Sequence, residues 1–312
     1  MIEVPEQFKR TTIQREGAAG AAWVEQLPAL TDQLLDRWGC APDGEVGHGA
    51  VGIVVPVVRR RDDAPAVVKV SFPHPGNVHE PDAFAVWGGR GAVLLHERDD
   101  EHFAMLLERA RPETLADVAD GDEVAATAGR LSRRLAVPAP VGLPRLRDRV
   151  AEWEPELRAD AAELPHGMSP RVLDAAAATI RELGPDQPET LVHGDLHSRN
   201  ILRADREPWL AIDPKGYVGD PAYDSGALLT SCAVPLVESG GDLDGGLRRA
   251  VEVFADAAEL DRVRVLRWAQ LHAVRAAFWG RRHGFTVARS GPDRDQVVHL
   301  AEHVAELFTD GT

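Results

Sequence analysis

The chain is poor in cysteine, in long apolar runs and in positive charge, and each shortage excludes something. Only Cys40 and Cys232 occur in 312 residues, which excludes a disulfide framework and a multi-cysteine zinc site. No run of about 18 apolar residues is present, so no membrane-spanning helix is expected. The opening stretch, residues 1–17, has no continuous apolar segment of the kind a secretory signal needs. A reducing cytoplasm is the expected compartment. Lys and Arg number 35 against 50 Asp and Glu, a formal net charge of −15. That field repels a phosphate backbone, and no basic stripe with interleaved aromatics is found, so nucleic acid is not an expected partner. The same surplus attracts a cationic small molecule, although it also serves solubility alone.

What is present is the composition of an ordinary globular protein, 44% hydrophobic and 27% charged, long enough for one large domain or two lobes. Trp23, Leu27, Leu30, Leu34, Leu35 and Trp38 recur at three- and four-residue spacing and predict a helix that Gly39 and the Pro42-Asp43-Gly44 turn bring to an end. Two β-branched runs follow, Val51–Val58 and Ala66–Val70, joined by the polar connection 59–65. A helical stretch through Phe84 and Trp87 stops at Gly88-Gly89, and two short strands are expected near Ala92–Glu97 and Phe103–Glu108. From Arg111 onward, Ala-, Leu- and Arg-rich helical segments dominate: Asp122–Leu135, Ala151–Glu163, Pro170–Leu183, Leu247–Ala258 and Asp261–Arg282. One β-like island, Thr190–Tyr217, interrupts them, and Pro138–Pro144 and Ser239–Gly246 read as mildly flexible. The expected organisation is an α+β chain with a sheet-bearing part over residues 1–110 and a mostly helical part over 111–312.

The chemistry concentrates in the β-like island. His193-Gly194-Asp195 precedes Asn200 by a short loop, and the apolar pair Ile201-Leu202 follows. The polar 204–208 turn reverses the chain, Trp209–Ile212 returns, and Asp213 ends the run. Antiparallel strands place the start of one beside the end of the other, so Asn200 and Asp213 should face one spot with Asp195 just upstream. An amide oxygen and a carboxylate together form a hard-oxygen site suited to Mg2+, and the second carboxylate is positioned to accept a proton. Two other readings are a hairpin whose Asp and His cap turns, and metal hydrolysis through His193, Asp195 and His197, which lacks a third ligand in sequence.

H-G-D-x-x-x-x-N followed by I-D-P resembles the catalytic and metal loops of the aminoglycoside phosphotransferase family, a branch of the protein-kinase-like fold. The resemblance implies a bilobal fold with a small antiparallel-sheet N-lobe and a mostly helical C-lobe. It makes Asp195 the catalytic base, has His193 orient the loop, gives Asn200 and Asp213 a magnesium ion to hold, and names ATP and Mg2+ as cofactors. The longer string from Asp213-Pro214-Lys215-Gly216 to Val218-Gly219-Asp220-Pro221-Ala222-Tyr223-Asp224 is similar to the streptomycin 6-phosphotransferase and hydroxyurea phosphotransferase subfamily, and likeness extends from about Trp23 to Gly284.

The stretch Gly47-His48-Gly49-Ala50-Val51-Gly52-Ile53-Val54 fits G-x-G-x-x-G-x-V, with Gly47, Gly49 and Gly52 letting backbone amides approach phosphates; alone it also reads as a tight turn. The β-branched run after it argues for a glycine-rich hairpin over a nucleotide rather than a Rossmann turn, which a helix would follow. Lys69 is an isolated cation in an apolar run, either an edge-strand guard or, as the resemblance implies, the lysine that grips the α- and β-phosphates. Its implied partner is Glu80, with Glu97 a weaker choice, and Leu106-Leu107-Glu108-Arg109 resembles the hinge beside adenine.

The acceptor should bind in the helical part beyond Asp195. Asp220 and Asp224 are acidic candidates for a cationic group, or braces for the loop after the metal hairpin. In the late helix, Trp279, Arg281 and Arg282 fall in the run, Phe278 to Gly284, where streptomycin-type members tend to carry a Trp followed by an acidic pair and Gly, and Arg275 and His272, one and two turns earlier, are candidates for the same face. If they line the pocket, Arg281 and Arg282 favour a neutral or anionic acceptor; otherwise they complement the helix C-terminus. Three functions are weighed: a kinase inactivating an aminoglycoside; the same chemistry on another small-molecule antibiotic or metabolite, such as a nucleoside or peptide antibiotic, hydroxyurea or a sugar; and a non-catalytic pseudokinase. Monomer and dimer are left open.

Overall fold

Period-2 burial organises the start of the chain in the computed structural model, which describes residues 2–283 and 294–310. Helix α1 (Glu6–Arg37) leads into strands β1 (Cys40–Pro42), β2 (Gly47–His48), β3 (Gly52–Arg59) and β4 (Ala64–Ser71), then helix α2 (Glu80–Trp87) and strands β5 (Leu95–Asp99) and β6 (Ala104–Glu108). The strands form one antiparallel sheet in the order β1-β3-β4-β6-β5, with β2 hairpinned onto β3. Ile53, Val55 and Val57 of β3 and Ala66, Val68 and Val70 of β4 are all fully buried on one face, against Phe8, Leu27, Leu34 and Leu35 of α1. Each such side chain contributes about 1.5–3 kcal/mol by leaving water. The alternation that sends Val68 and Val70 into this core turns Lys69 to the opposite face. These elements make up a compact unit, Met1–Ala110.

β5 begins three residues later than the sequence suggests, because the Leu94 amide is taken by the Glu108 carboxylate and a bulge between Leu95 and Glu97 resets the register. α1 is longer than its apolar periodicity indicates and breaks at Gly17, whose φ of 63° and ψ of −136° redirect the chain.

The second unit, Arg111–Thr312, is mostly helical. Its elements are α3 (Gly121–Leu135), β7 (Val137–Pro138), α4 (Leu146–Glu163), α5 (Pro170–Leu183), β8 (Thr190–Val192), β9 (Ile201–Arg203), β10 (Trp209–Ala211), β11 (Tyr217–Val218), α6 (Ser225–Glu238), α7 (Leu243–Ala258), α8 (Arg262–His283) and α9 (Arg294–Thr309). β7, β8 and β11 form one small sheet and β9–β10 a hairpin. α8 is the central helix: Trp268, Leu271, Val274, Ala277 and Phe278 are buried, and the fully buried Gln270 donates to the Val172 carbonyl at 3.0 Å and to Thr309 Oγ1 at 3.1 Å. Trp153 stacks on Tyr223 at 6.0 Å, and both meet Trp268 edge-on. Among the described residues no helix is long and apolar enough to cross a membrane.

Sequence periodicity misses α6, where Pro235 reads as a breaker but falls in the last turn, and α9, beyond the stretch covered by the resemblance. The 239–246 segment is a capped turn: Asp242 Oδ1 accepts from the Gly245 amide at 3.1 Å and opens α7 four residues early.

The α3–α7 contact rests on Gly129, where an added Cβ would lie 2.7 Å from the Phe254 carbonyl oxygen and 2.9 Å from the Ala257 Cβ. Alanine gains about 1 kcal/mol of helix propensity, and the overpacking costs about 1–3 kcal/mol. The Gly129→Ala variant should therefore melt at a lower temperature than the parent in a calorimetric scan.

Candidate active site

β8 delivers His193, Gly194 and Asp195 into a turn that only glycine accommodates at its centre. Gly194 has φ of 85°, and a Cβ there would meet the Tyr217 ring at 2.6 Å and the Lys215 Cβ at 3.0 Å. Two backbone amides of this turn point at one carboxylate: Asp224 accepts from His193 N at 2.9 Å and from Gly194 N at 2.7 Å. Asp224 is 2% exposed, and burial pushes its carboxyl up to about 7 against the pull of those two bonds. Both its oxygens are engaged inside the protein, which removes Asp224 from the acceptor-binding role considered for it and makes it the brace of the H-G-D turn. Asp220 is spent in the same way, accepting from the Ala222 amide at 3.0 Å, from Trp268 Nε1 at 2.6 Å and from Arg264.

His193 is fully buried and joins two loops. Its Nδ1 accepts the Asp195 amide at 3.2 Å, so the proton sits on Nε2, which donates to the Ile212 carbonyl at 2.9 Å. Its own carbonyl accepts the Lys215 amide at 2.7 Å. Burial drives the imidazole down to about 4, so it is neutral and structural. Both ring nitrogens are engaged, which disposes of a metal site through His193, Asp195 and His197.

The β9–β10 hairpin pairs Ile201 with Ala211, and the Ile212 amide donates to the Asn200 carbonyl at 2.9 Å. Asn200 thereby lies beside the turn that carries Asp213. Asn200 Nδ2 donates to the Asp195 carbonyl at 3.0 Å, which orients the amide and leaves its oxygen as the acceptor end. Asp213 has φ of 59°, a left-handed conformation uncommon outside glycine and frequent at functional turns. Between the carboxylates lies Lys215, its Nζ 3.7 Å from Asp195 Oδ2 and 3.6 Å from Asp213 Oδ2. An amide oxygen and a carboxylate fit a hard divalent cation, and the ammonium between the two carboxylates marks the charge that this spot favours. Sequence reasoning passed over Lys215, although a lone lysine in an acidic string was the available signal.

In the first unit Lys69 Nζ lies 2.6 Å from Glu80 Oε1, with Glu80 1% exposed at the start of α2; Glu97 stands exposed on β5. Gly47 and Gly49 occupy the exposed β2–β3 hairpin, and space is open around Gly49. Gly52 differs: a Cβ there would sit 2.7 Å from both Ser71 Oγ and the Val70 carbonyl oxygen, so its role is close packing of β3 on β4 rather than contact with a phosphate. Glu108 also departs from expectation. Its amide donates to the Leu94 carbonyl at 2.8 Å and its carboxylate accepts the Leu94 amide at 3.0 Å, so that amide is not available to a base.

Beside Asp195 opens a cavity of about 410 Å³, with His197, Arg199, Thr230, Glu238 and His272 among its walls. His272, held near 4 by burial, is a neutral hydrogen-bonding group, and Thr230 Oγ1 is buried without a protein partner. Apart from His272, the late-helix candidates do not line it. Arg275 stacks over Trp153 at 4.4 Å, and Trp279 is exposed beside His283. Arg281 is paired with Glu302 of α9 at 3.0 Å, and Arg282 with Asp160 and Glu163 of α4. Neither arginine is an acceptor contact. Gly284, the last residue of the run considered for this region, lies outside the described residues.

Comparison with known proteins places the whole arrangement in context. The aminoglycoside/hydroxyurea antibiotic resistance kinase family matches residues 37–284. A streptomycin 6-kinase of Streptomyces glaucescens is 35% identical, over 89% of this chain and 91% of that protein. A hydroxyurea phosphotransferase of Kitasatospora aureofaciens is 33% identical, over 89% of this chain and 80% of that protein. The aminoglycoside phosphotransferase APH(4)-Ia, solved in a ternary complex with ADP and hygromycin B, aligns at a TM-score of 0.57 and 13% identity, covering 90% of this chain and 98% of that one. Choline kinase LicA from Streptococcus pneumoniae aligns at a TM-score of 0.57 and 12% identity, covering 92% of this chain and 99% of that one. These two likenesses establish the protein-kinase-like fold.

The titration of the site sets a pH signature. His193 and His272 bind protons more weakly folded than unfolded, so their contribution to stability is full above 6.5 and is lost as pH falls toward 4. Asp224 acts in the opposite sense: its raised carboxyl keeps a proton that the unfolded chain releases above 3.8, so stability declines as pH rises from there to about 7. The Asp224→Asn variant should lose activity through disorder of the H-G-D turn. Urea midpoints measured from pH 4 to 7 should rise more steeply in the variant than in the parent.

Proposed function

The chain belongs to the aminoglycoside/hydroxyurea antibiotic resistance kinase family, and on that premise we propose that it transfers the γ-phosphoryl group of ATP to a hydroxyl of an antibiotic, an aminoglycoside of the streptomycin type in the first place. The observation that carries this reading is the position of Asp195, which stands on the wall of the acceptor-sized cavity and also shares Lys215 with Asp213.

The roles follow from the chemistry of each group. Asp195 accepts the proton of the attacking hydroxyl. Asn200 and Asp213 are the residues that would hold Mg2+, which when bound neutralises the charge of the phosphates. Lys69, fixed by Glu80, reaches the nucleotide phosphates, and His193 keeps Asp195 in place without titrating. Lys215 offers a further positive charge beside the reacting groups. With positioning and charge supplying the acceleration, no covalent intermediate on the protein is needed. Lys69, Asp195, Asn200 and Asp213 are all present, which speaks for catalysis over nucleotide binding alone.

For the acceptor, three features favour a cationic aminocyclitol. The net charge is −15. Glu238 brings a carboxylate to the cavity, and the basic Arg281–Arg282 pair is neutralised by α4 and α9 instead of facing it. A molecule as small as hydroxyurea would fill little of a cavity of about 410 Å³. Phosphorylating an antibiotic hydroxyl confers resistance, and both the ATP supply and the free thiols of Cys40 and Cys232 suit the cytoplasm.

ADP release should be measured with Mg2+-ATP against streptomycin, other aminoglycosides, hydroxyurea and simple sugars. Streptomycin turnover supports the reading; turnover confined to a neutral acceptor overturns the aminoglycoside assignment. The Asp195→Asn variant should lose about 10²–10⁴-fold in kcat while binding Mg2+-ATP normally, and Asp213→Ala should lose Mg2+-dependent nucleotide affinity as well. The Glu238→Gln variant should raise KM for a cationic acceptor about tenfold with little change for ATP.

A further inference from the structure

The tip of the glycine-rich hairpin is held from outside by the first segment of α1. Arg15 Nη1 donates to the Ala50 carbonyl at 2.8 Å across 35 positions of sequence. Seven residues earlier on the same segment, the Phe8 ring lies 5.5 Å from the His48 imidazole, with the planes tilted by 44°. The segment cannot drift, because Phe8 is fully buried in the core under the sheet, and the break at Gly17 sets its direction independently of the rest of α1. Arg15 is itself oriented: its Nε donates to Glu16 Oε1 at 2.5 Å. Its remaining nitrogen, Nη2, is buried with no hydrogen-bond partner.

A glycine-rich tip loses more conformational freedom on ordering than any other kind of loop, so an anchor that limits it beforehand strengthens whatever ligand orders it. A buried guanidinium donor without an acceptor is unfavourable, and an oxygen brought to it when the loop settles relieves that cost. We propose that Arg15 is a positioning residue for nucleotide binding: the first segment of α1 straps the 47–52 loop through the Ala50 carbonyl, and nucleotide capture completes the Arg15 hydrogen-bond set. The strap acts on the loop and does not touch the acceptor. This inference rests on the nucleotide-binding reading of the first unit.

The test uses the full-length protein and calorimetric titration with Mg2+-ATP, without acceptor. Binding by the parent protein is the prerequisite; its absence would count against the function proposed above and leave nothing for Arg15 to position. Given binding, Arg15→Ala should weaken it about tenfold, the value of one charge-assisted hydrogen bond, and raise KM for ATP by the same factor. KM for the acceptor and the melting temperature should stay near those of the parent, and Arg15→Lys should recover part of the affinity. Hydrogen exchange of residues 47–52 should slow on adding Mg2+-ATP to the parent and slow less in Arg15→Ala. Parental affinity in Arg15→Ala overturns the inference. So does a loss of affinity matched by a lowered melting temperature and a raised acceptor KM, since that is general destabilisation.

Discussion

Two amide hydrogens aimed at one buried carboxylate hold the catalytic half of this protein in shape. Asp224 gathers the His193 and Gly194 amides, and the turn so formed has room for no side chain at Gly194. Once that turn is fixed, the His193 ring has one place to go, and it ties Asp195 to the strand end that carries Asp213. A deeply buried carboxylate is costly, and its preference for the protonated form is the sign of that cost. The position of Asp195 descends from this arrangement, while burial keeps His193 neutral.

The charge pattern around it is economical in cations. Asp195 and Asp213 share one ammonium, that of Lys215, at 3.7 and 3.6 Å. Elsewhere arginines are used for joinery: Arg281 to α9, Arg282 to α4 and Arg264 to Asp220. The chain as a whole carries a formal net charge of −15.

Where chemistry demands residue types at fixed spacing, the chain could be read directly. Asp195, Asn200 and Asp213 come together because a short antiparallel hairpin brings its ends side by side, whereas the pairing of Lys69 with Glu80 was expected through the family resemblance alone. The β-branched runs and the helical periodicity were legible for the same reason. Partners remote in sequence were not. An aspartate that braces amides looks in sequence like one that binds a cation, so Asp224 was read as a ligand candidate. Whether Arg282 faced a pocket or complemented the helix end stayed open because its partner Asp160 stands 122 positions away. Arg15 gave no signal, its contact with Ala50 arising from a break at Gly17 that apolar spacing does not reveal.

Lys69 and Glu80 are joined at 2.6 Å, with the glutamate buried. In a signalling kinase the making and breaking of such a pair is the throttle. Here it is locked by burial of the glutamate at the head of α2. A substitution that shifts the head of α2 would therefore shift Lys69 with it.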